Sequence, residues 1–330
     1  MKPAERFFKK TAAYRAALRD KQGGKLCHAY LLSCRDGAWQ KDYAKALCKL
    51  IMCEKGDFCG ECRSCRQIEK ENFIDCEFYP KDGEKITAEG IEIIATEKCY
   101  VKPLEASCKV FAIGGAEKMN VPSQNKLLKT LEEPPENVYI VLSALGDFNL
   151  LPTVKSRVKK LEIPLFAADE IFGELKDDYA DGERLKKACL LSEGKPGEVE
   201  RLYSSDSAAI LLDECVTIFK KMKKSPDIAY YSGKLAKKTR EEFGEFLIAM
   251  RLVVRDLILI EEGVEEGVIA RDRIEDLRDI SLRYREGALL SFSAVLDKTV
   301  ADSDRNGNQI MLADGLLFAL LEENYRWQKL

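Results

Sequence analysis

Ala29-Tyr30-Leu31-Leu32-Ser33, then Cys34-Arg35-Asp36-Gly37-Ala38-Trp39-Gln40-Lys41, then a helical pattern from about Trp39 to Met52: this stretch decides the fold. An apolar run of strand length, a short glycine-containing turn and an amphipathic helix read as the opening of a βαβ unit. The alternation continues downstream. Cys76–Tyr79 alternates and ends at Pro80, while Val110–Ile113 and Val138–Leu142 read as continuous buried strands. Lys160–Ile163, closed by Pro164, is a candidate fifth strand, and helices fit at Thr87–Tyr100 and Gln124–Glu133, the second stopping before Pro134-Pro135. The expectation is an α/β domain with a parallel sheet over residues 1–165.

Beyond Ala168 the strand signals stop. Residues 166–205 read as a small helical domain, interrupted by Gly194-Lys195-Pro196-Gly197, and residues 206–330 as a larger all-α domain. Phe243, Phe246, Leu247, Met250, Val253, Val254, Leu257 and Ile258 recur at intervals of three and four, an apolar stripe that reads as helical core or, in part, as a subunit interface. The Lys220-Lys221-Met222-Lys223-Lys224 cluster reads as a solvated face, with a phosphate-contacting patch as the alternative.

Composition narrows the function classes. The 330 residues are 46% hydrophobic and 33% charged, enough for two or three packed domains. With 53 Lys+Arg against 56 Asp+Glu the formal charge is −3, so no overall positive field draws the chain to nucleic acid or an anionic membrane. No apolar run approaches the roughly 18 residues of a membrane span, and residues 1–20 carry charges throughout, so a soluble, cytoplasmic protein is expected. The twelve cysteines are then expected to be reduced, buried or metal-bound. A single histidine, His28, leaves Ser-His-Asp or Cys-His catalysis only one possible base; a structural role before the first strand is the simpler reading.

Cys53, Cys59, Cys62 and Cys65 form a C-x5-C-x2-C-x2-C run with Gly60 at its turn. Two-residue spacers let successive thiolates face one ion, and four thiolates around Zn²⁺ leave no position for a reactive water, so a structural zinc is expected. An iron–sulfur cluster uses thiolates too, but its two-cluster ferredoxin run ends differently; unliganded cysteines are the third reading. Cys48 competes weakly with Cys53 as first ligand. The charges around the run, Lys55, Arg63 and Arg66 against Glu54, Asp57 and Glu61, are balanced, which disfavours a zinc-dependent nucleic-acid-binding module.

The turn at 34–41 occupies the place of a phosphate loop without its chemistry. Against G-x-x-x-x-G-K-[ST], Cys34 and Trp39 replace the glycines, Gln40 the lysine and Lys41 the Mg²⁺-binding hydroxyl; Gly37 is the loop's own glycine. Gly114-Gly115 stand where acidic residues at a strand end would hold Mg²⁺. Glu117, three residues on, reads as a surface helix-start residue.

Five further stretches occur in a telling order: His28-Ala-Tyr-Leu-Leu32, the Cys59–Cys65 run, Ala116-Glu-Lys-Met-Asn120, Ser123-Gln-Asn-Lys-Leu-Leu-Lys-Thr-Leu-Glu-Glu-Pro-Pro135 and Leu151-Pro-Thr-Val-Lys-Ser-Arg157. Together with Arg305-Asn-Gly-Asn308 before the last helix, they resemble bacterial DNA polymerase III clamp loaders of the AAA+ family, over nearly the whole chain. The resemblance implies an AAA+ α/β domain at 1–165 carrying a zinc module at 53–65, a helical lid at 166–205 and a helical collar at 206–330 for oligomerisation. It implies a ring with the ATP-hydrolysing gamma/tau subunits and the delta subunit, acting on the sliding clamp and, through the complex, on primer-template DNA. The altered loop points to a non-hydrolysing member with no ATP of its own; the alternative is a gamma/tau-type motor subunit. By the same resemblance, Ser156-Arg157 matches the family's Ser-Arg-Cys motif, whose arginine reaches a neighbour's ATP site in trans. Val158 stands where that motif has cysteine, a packing change.

Overall fold

The computed structural model describes residues 1–81, 84–284, 286–304 and 307–328. Two compact units emerge, one of residues 1–177 with 193–198 and one of residues 178–192 with 199–330. The first holds α1 (Pro3–Lys10), α2 (Ala12–Gln22), β1 (Ala29–Cys34), α3 (Gln40–Met52), α4 (Arg63–Glu69), β2 (Cys76–Tyr79) and α5 (Ala88–Thr96). After these come β3 (Lys109–Gly114), α6 (Val121–Glu132), β4 (Val138–Ala144), α7 (Pro152–Lys155), β5 (Lys159–Ile163) and α8 (Ala168–Leu175).

All strand pairs are parallel, in the order β2-β3-β4-β1-β5. The expected strands are therefore present, and the first unit has an α/β fold built on a parallel sheet. Every residue of β1 is buried, and Leu31 sits opposite Leu142 of β4 and Lys160 of β5. A strand covered on both faces has no reason to alternate, which is why this one reads as a continuous apolar run. Leu31, Leu127, Ile140, Leu142 and Val154 share one core cluster, against which Val158 packs half-buried.

Two helices depart from the sequence reading at their ends. The structure starts α6 at Val121, three residues before the expected Gln124, because the Asn120 side chain accepts from the Ser123 N–H at 2.9 Å and Pro122 fits the first turn. In α5, Thr87 caps the helix by accepting from the Gly90 N–H at 3.0 Å, and the α-helix ends at Thr96; Lys98–Tyr100 form a separate 3₁₀ turn. Glu117 corrects a further reading. It does open a short 3₁₀ turn, Ala116–Lys118, but it is buried, its carboxylate accepting from the Leu145 N–H at 3.3 Å.

The remaining helices are α9 (Gly182–Leu191), α10 (Pro196–Ser204), α11 (Ser207–Lys221), α12 (Ser225–Leu235), α13 (Arg240–Glu261), α14 (Ile274–Ser281), α15 (Glu286–Asp304) and α16 (Gln309–Gln328). No strand occurs after Ile163 among the described residues. The stripe on α13 is core, fully buried from Phe243 to Leu257, with Ile258 half-buried. In the lysine cluster Lys221, Lys223 and Lys224 are exposed, but Lys220 pairs with Asp276, and Met222 is buried. Of the Arg305–Asn308 stretch, Arg305 and Asn306 lie outside the described residues; Asn308 accepts from the Ile310 and Met311 N–H groups and caps α16. No helix among the described residues is long and apolar enough to cross a membrane.

Candidate functional site

The chain leaves α3 at Cys53, loops through Cys59 and enters α4, whose N-cap is Cys62. Gly60 adopts φ +74°, the left-handed turn that reverses the chain between Cys59 and Cys62. Backbone N–H groups then point at sulfur: Cys62 N–H donates to Cys59 Sγ at 3.3 Å, and Cys65 N–H to Cys62 Sγ at 3.5 Å. All four Sγ atoms, of Cys53, Cys59, Cys62 and Cys65, lie within 4.8 Å of one another, with Cys62 and Cys53 at 4.0 Å. A tetrahedral zinc with sulfur at about 2.3 Å needs sulfurs about 3.8 Å apart, so the donor set fits zinc with little movement. Cys48 is buried in α3 and outside the group.

Burial pushes the Cys65 thiol up, whereas at the rim the N–H groups of Cys62 and Glu61 outweigh desolvation and draw Cys59 down to about 6. The module is fastened to the sheet domain by Lys49 of α3, buried, whose ammonium meets Glu5 Oε1 at 2.7 Å and also Glu69 of α4. None of the twelve cysteines forms a disulfide. Asp75, fully buried just before β2, accepts from the N–H groups of Leu104, Glu105 and Ala106 at 2.7–2.8 Å.

Between β1 and α3 the turn is filled by the chain's own groups. Asp36 is buried; its Oδ2 accepts from the Gly197 N–H at 2.7 Å and its Oδ1 from the Trp39 N–H at 3.3 Å. A Cβ on Gly197 would stand 2.5 Å from Asp36 Oδ1 and 2.8 Å from Trp39 Cγ, so only glycine fits. The Trp39 indole packs against Phe7 and Tyr43, with ring centroids at 5.7 and 6.1 Å, and Phe7 meets Phe166 at 4.8 Å. Cys34 is buried, with its thiol pushed up to about 12 by desolvation.

Gln40, in the amide orientation its neighbours require, accepts from the N–H groups of Ala144 and Leu145 at 3.2 and 3.1 Å. Lys41 pairs with Glu71 at 2.7 Å. A cavity of about 590 Å³ opens over the carboxyl ends of β2, β3 and β4, where Gly114 and Gly115 offer no carboxylate; Lys81, Glu84, Lys85 and Lys118 are among the residues that line it. His28 contacts the Leu131 carbonyl through Nε2 at 3.0 Å, a packing position away from this turn.

Arg157 lies between α7 and β5 with a third of its side chain exposed. Its Nη1 donates to the Thr153 carbonyl at 2.9 Å and to Ser156 Oγ at 3.2 Å, and Nη2 pairs with Glu132 Oε1 at 2.7 Å. Ser156 Oγ donates in turn to the Thr153 carbonyl at 3.1 Å. Sequence reasoning named Arg157 and Ser156 but not Glu132, nor the Asp36–Gly197 contact, whose partners are 161 residues apart.

Comparison with known proteins agrees with this anatomy. A family model described as "DNA polymerase III, delta subunit" matches residues 9–167. The delta' subunit of DNA polymerase III from Bacillus subtilis is 26% identical over 267 residues, covering 78% of this chain and 80% of that protein. The delta' subunit of Yersinia pestis is 27% identical, covering 80% of this chain and 79% of its own. A gamma subunit from Buchnera aphidicola is 32% identical over 156 residues, only 46% of this chain and 43% of that protein. With its parallel sheet, its four-cysteine module and matches that span about four-fifths of two delta' subunits, the chain is similar to the delta' subunits of DNA polymerase III over most of its length.

Proposed function

We propose that this chain is a non-hydrolysing subunit of a DNA polymerase III clamp loader, of the delta' kind, which helps place the sliding clamp on primed DNA. The observation that carries the reading is the filled turn at 34–41. A P-loop enzyme keeps backbone amides, a lysine and a hydroxyl open to phosphate and Mg²⁺; here Asp36, Trp39, Gln40 and Lys41 are committed to partners within the chain. Such a subunit contributes shape and contacts rather than turnover. Its partners are gamma/tau and delta subunits, with residues 206–330 as collar and 166–205 as lid. The zinc held by Cys53, Cys59, Cys62 and Cys65 is structural.

Arg157, with Ser156 beside it, acts in trans on the ATP site of a neighbouring subunit. A guanidinium is charged at every physiological pH and forks onto phosphate oxygens as they gain negative charge. The rival reading, a gamma/tau-type motor, requires phosphate and Mg²⁺ ligands where Gln40, Lys41, Gly114 and Gly115 stand. Co-expression with gamma/tau and delta, purification of the complex and a clamp-loading assay test the proposal. Stable incorporation with clamp loading lost when this chain is omitted is expected; a chain that neither joins the complex nor alters loading sinks it.

A further inference from the structure

Lys21, at the end of α2, donates from Nζ to three carbonyls: Leu50 at 2.7 Å, Ile51 at 3.2 Å and Cys53 at 2.6 Å. The first two belong to the last turn of α3, and the third belongs to a cysteine of the metal group. All three donors of the ammonium are thereby used. The side chain is half-buried, and no carboxylate pairs with it among the described residues. Neutral carbonyls, even at the negative end of a helix dipole, are a poor match for a desolvated positive charge, which is ordinarily held by an anion.

Its nearest anionic candidates are the sulfurs of the metal group: Nζ already holds the Cys53 carbonyl, and the Cys53 Sγ lies within 4.8 Å of those of Cys59, Cys62 and Cys65. Four thiolates on a divalent ion carry a net charge of about −2, the anion this ammonium lacks. The other lysine in the field of these sulfurs, Lys55, is exposed and already paired with Glu61 at 2.8 Å.

We propose that Lys21 is the counter-charge and clasp of the metal–thiolate centre, a positioning residue that ligates nothing but offsets the negative charge and fixes Cys53 by its carbonyl. This rests on the four cysteines holding a metal. The centre is accordingly built from two sequence regions, and α2 is part of it although it carries no ligand. Partners just outside a ligand shell typically change metal affinity 10–100-fold when removed.

The experiment is chelator competition for zinc on the full chain, with circular dichroism as the check on folding. Lys21→Met is expected to weaken zinc binding about 10–100-fold and to speed zinc release by a thiol reagent. Lys21→Arg keeps the charge and should bind within a few-fold of the native chain, while Lys21→Gln, which keeps a donor without the charge, should resemble Lys21→Met. Lys55→Met is the control for a paired, exposed charge and should change little. Should Lys21→Met not fold, the Arg and Gln variants decide. Equal zinc affinity in the Gln and Arg variants, or in Lys21→Met and the native chain, overturns the proposal. Zinc content unchanged by Cys62→Ser sinks instead the reading that these cysteines hold the metal.

Discussion

Arg157 and Glu132 face each other at 2.7 Å across the junction of α7 and α6, so the arginine rests on a carboxylate of its own chain. Half of the glutamate side chain and a third of the arginine are exposed. A pair in that setting contributes at most about 1 kcal/mol, and a polyphosphate in a neighbouring subunit, carrying several charges, can displace it. The carboxylate thus holds the guanidinium without locking it. Arg157→Ala should leave the fold and ring assembly intact and lower ATP turnover of the reconstituted complex in part, since only the site served by this chain is affected. At that one site an arginine in this role contributes roughly 10³–10⁵ in rate. Arg157→Lys should rescue poorly, because a point charge cannot fork; Lys160→Ala, removing a nearby charge paired with Asp147 at 3.1 Å, should do little. Normal turnover and clamp loading with Arg157→Ala would falsify the trans-acting role.

Glu132→Gln separates parking from activation. Loss of the carboxylate frees the guanidinium at a cost of less than about 1 kcal/mol, so turnover should be unchanged or raised up to about five-fold. A drop as large as that of Arg157→Ala would show instead that Glu132 orients the arginine for its task.

The purified chain should carry one zinc and no iron, measured by elemental analysis, because four thiolates close a tetrahedral shell. Cys62→Ser should lose the metal, and a strong chelator should reduce helicity at α4, whose N-cap is that cysteine. Iron recovered with acid-labile sulfide would replace zinc by a cluster.

A fluorescent ATP analogue should show no saturable site on the isolated chain at micromolar concentration. Gln40 and Lys41, which stand in the places of the phosphate-loop lysine and hydroxyl, are engaged elsewhere, Gln40 with the Ala144 and Leu145 N–H groups and Lys41 with Glu71. A stoichiometric, Mg²⁺-dependent complex would favour the motor reading.

Two buried aspartates should give opposite pH signatures. At Asp36 burial outweighs the N–H groups of Gly197 and Trp39 and raises the pKa, so the folded state binds the proton more tightly than the unfolded one. Its contribution is greatest below the unfolded value of about 3.9 and declines as pH rises toward the folded value. At Asp75 desolvation is outweighed by the N–H groups of Leu104, Glu105 and Ala106, which lower the pKa. Its contribution is therefore present above about 3.9 and lost as pH falls through the folded value. Urea titrations of Asp36→Asn and Asp75→Asn between pH 3 and 7 check this: the first variant should gain on the native chain as pH rises, the second should lose. Gly197→Ala should cost about 1–3 kcal/mol by overpacking against Asp36 and Trp39.

Local pattern revealed what local physics determines. Val110–Ile113 reads as a strand because a doubly covered strand is apolar at every position, and the cysteine spacing is of the kind that lets four thiolates face one ion; the four Sγ atoms do lie within 4.8 Å of one another. Helix starts were less legible where a cap outside the apolar pattern sets them, as Asn120 does for α6. Glu117 was misread because a carboxylate buried on the Leu145 N–H looks, in sequence, like any acid at a helix start. Glu132, Gly197 and Lys21 escaped because their roles arise from partners 25, 161 and 29–32 residues away. Only folding brings those partners together.

The bond from the Gly197 N–H to Asp36 also changes what controls the segment at 193–198. A ligand-gated segment follows the concentration of its ligand, because binding free energy sets the population of its states. Here the occupant is covalently part of the same chain, and its effective concentration is fixed by the fold rather than by the surroundings. Residues 193–198 should therefore hold one position against the Asp36 turn whatever the nucleotide concentration around the chain, a fixed point that no fuel sets or releases.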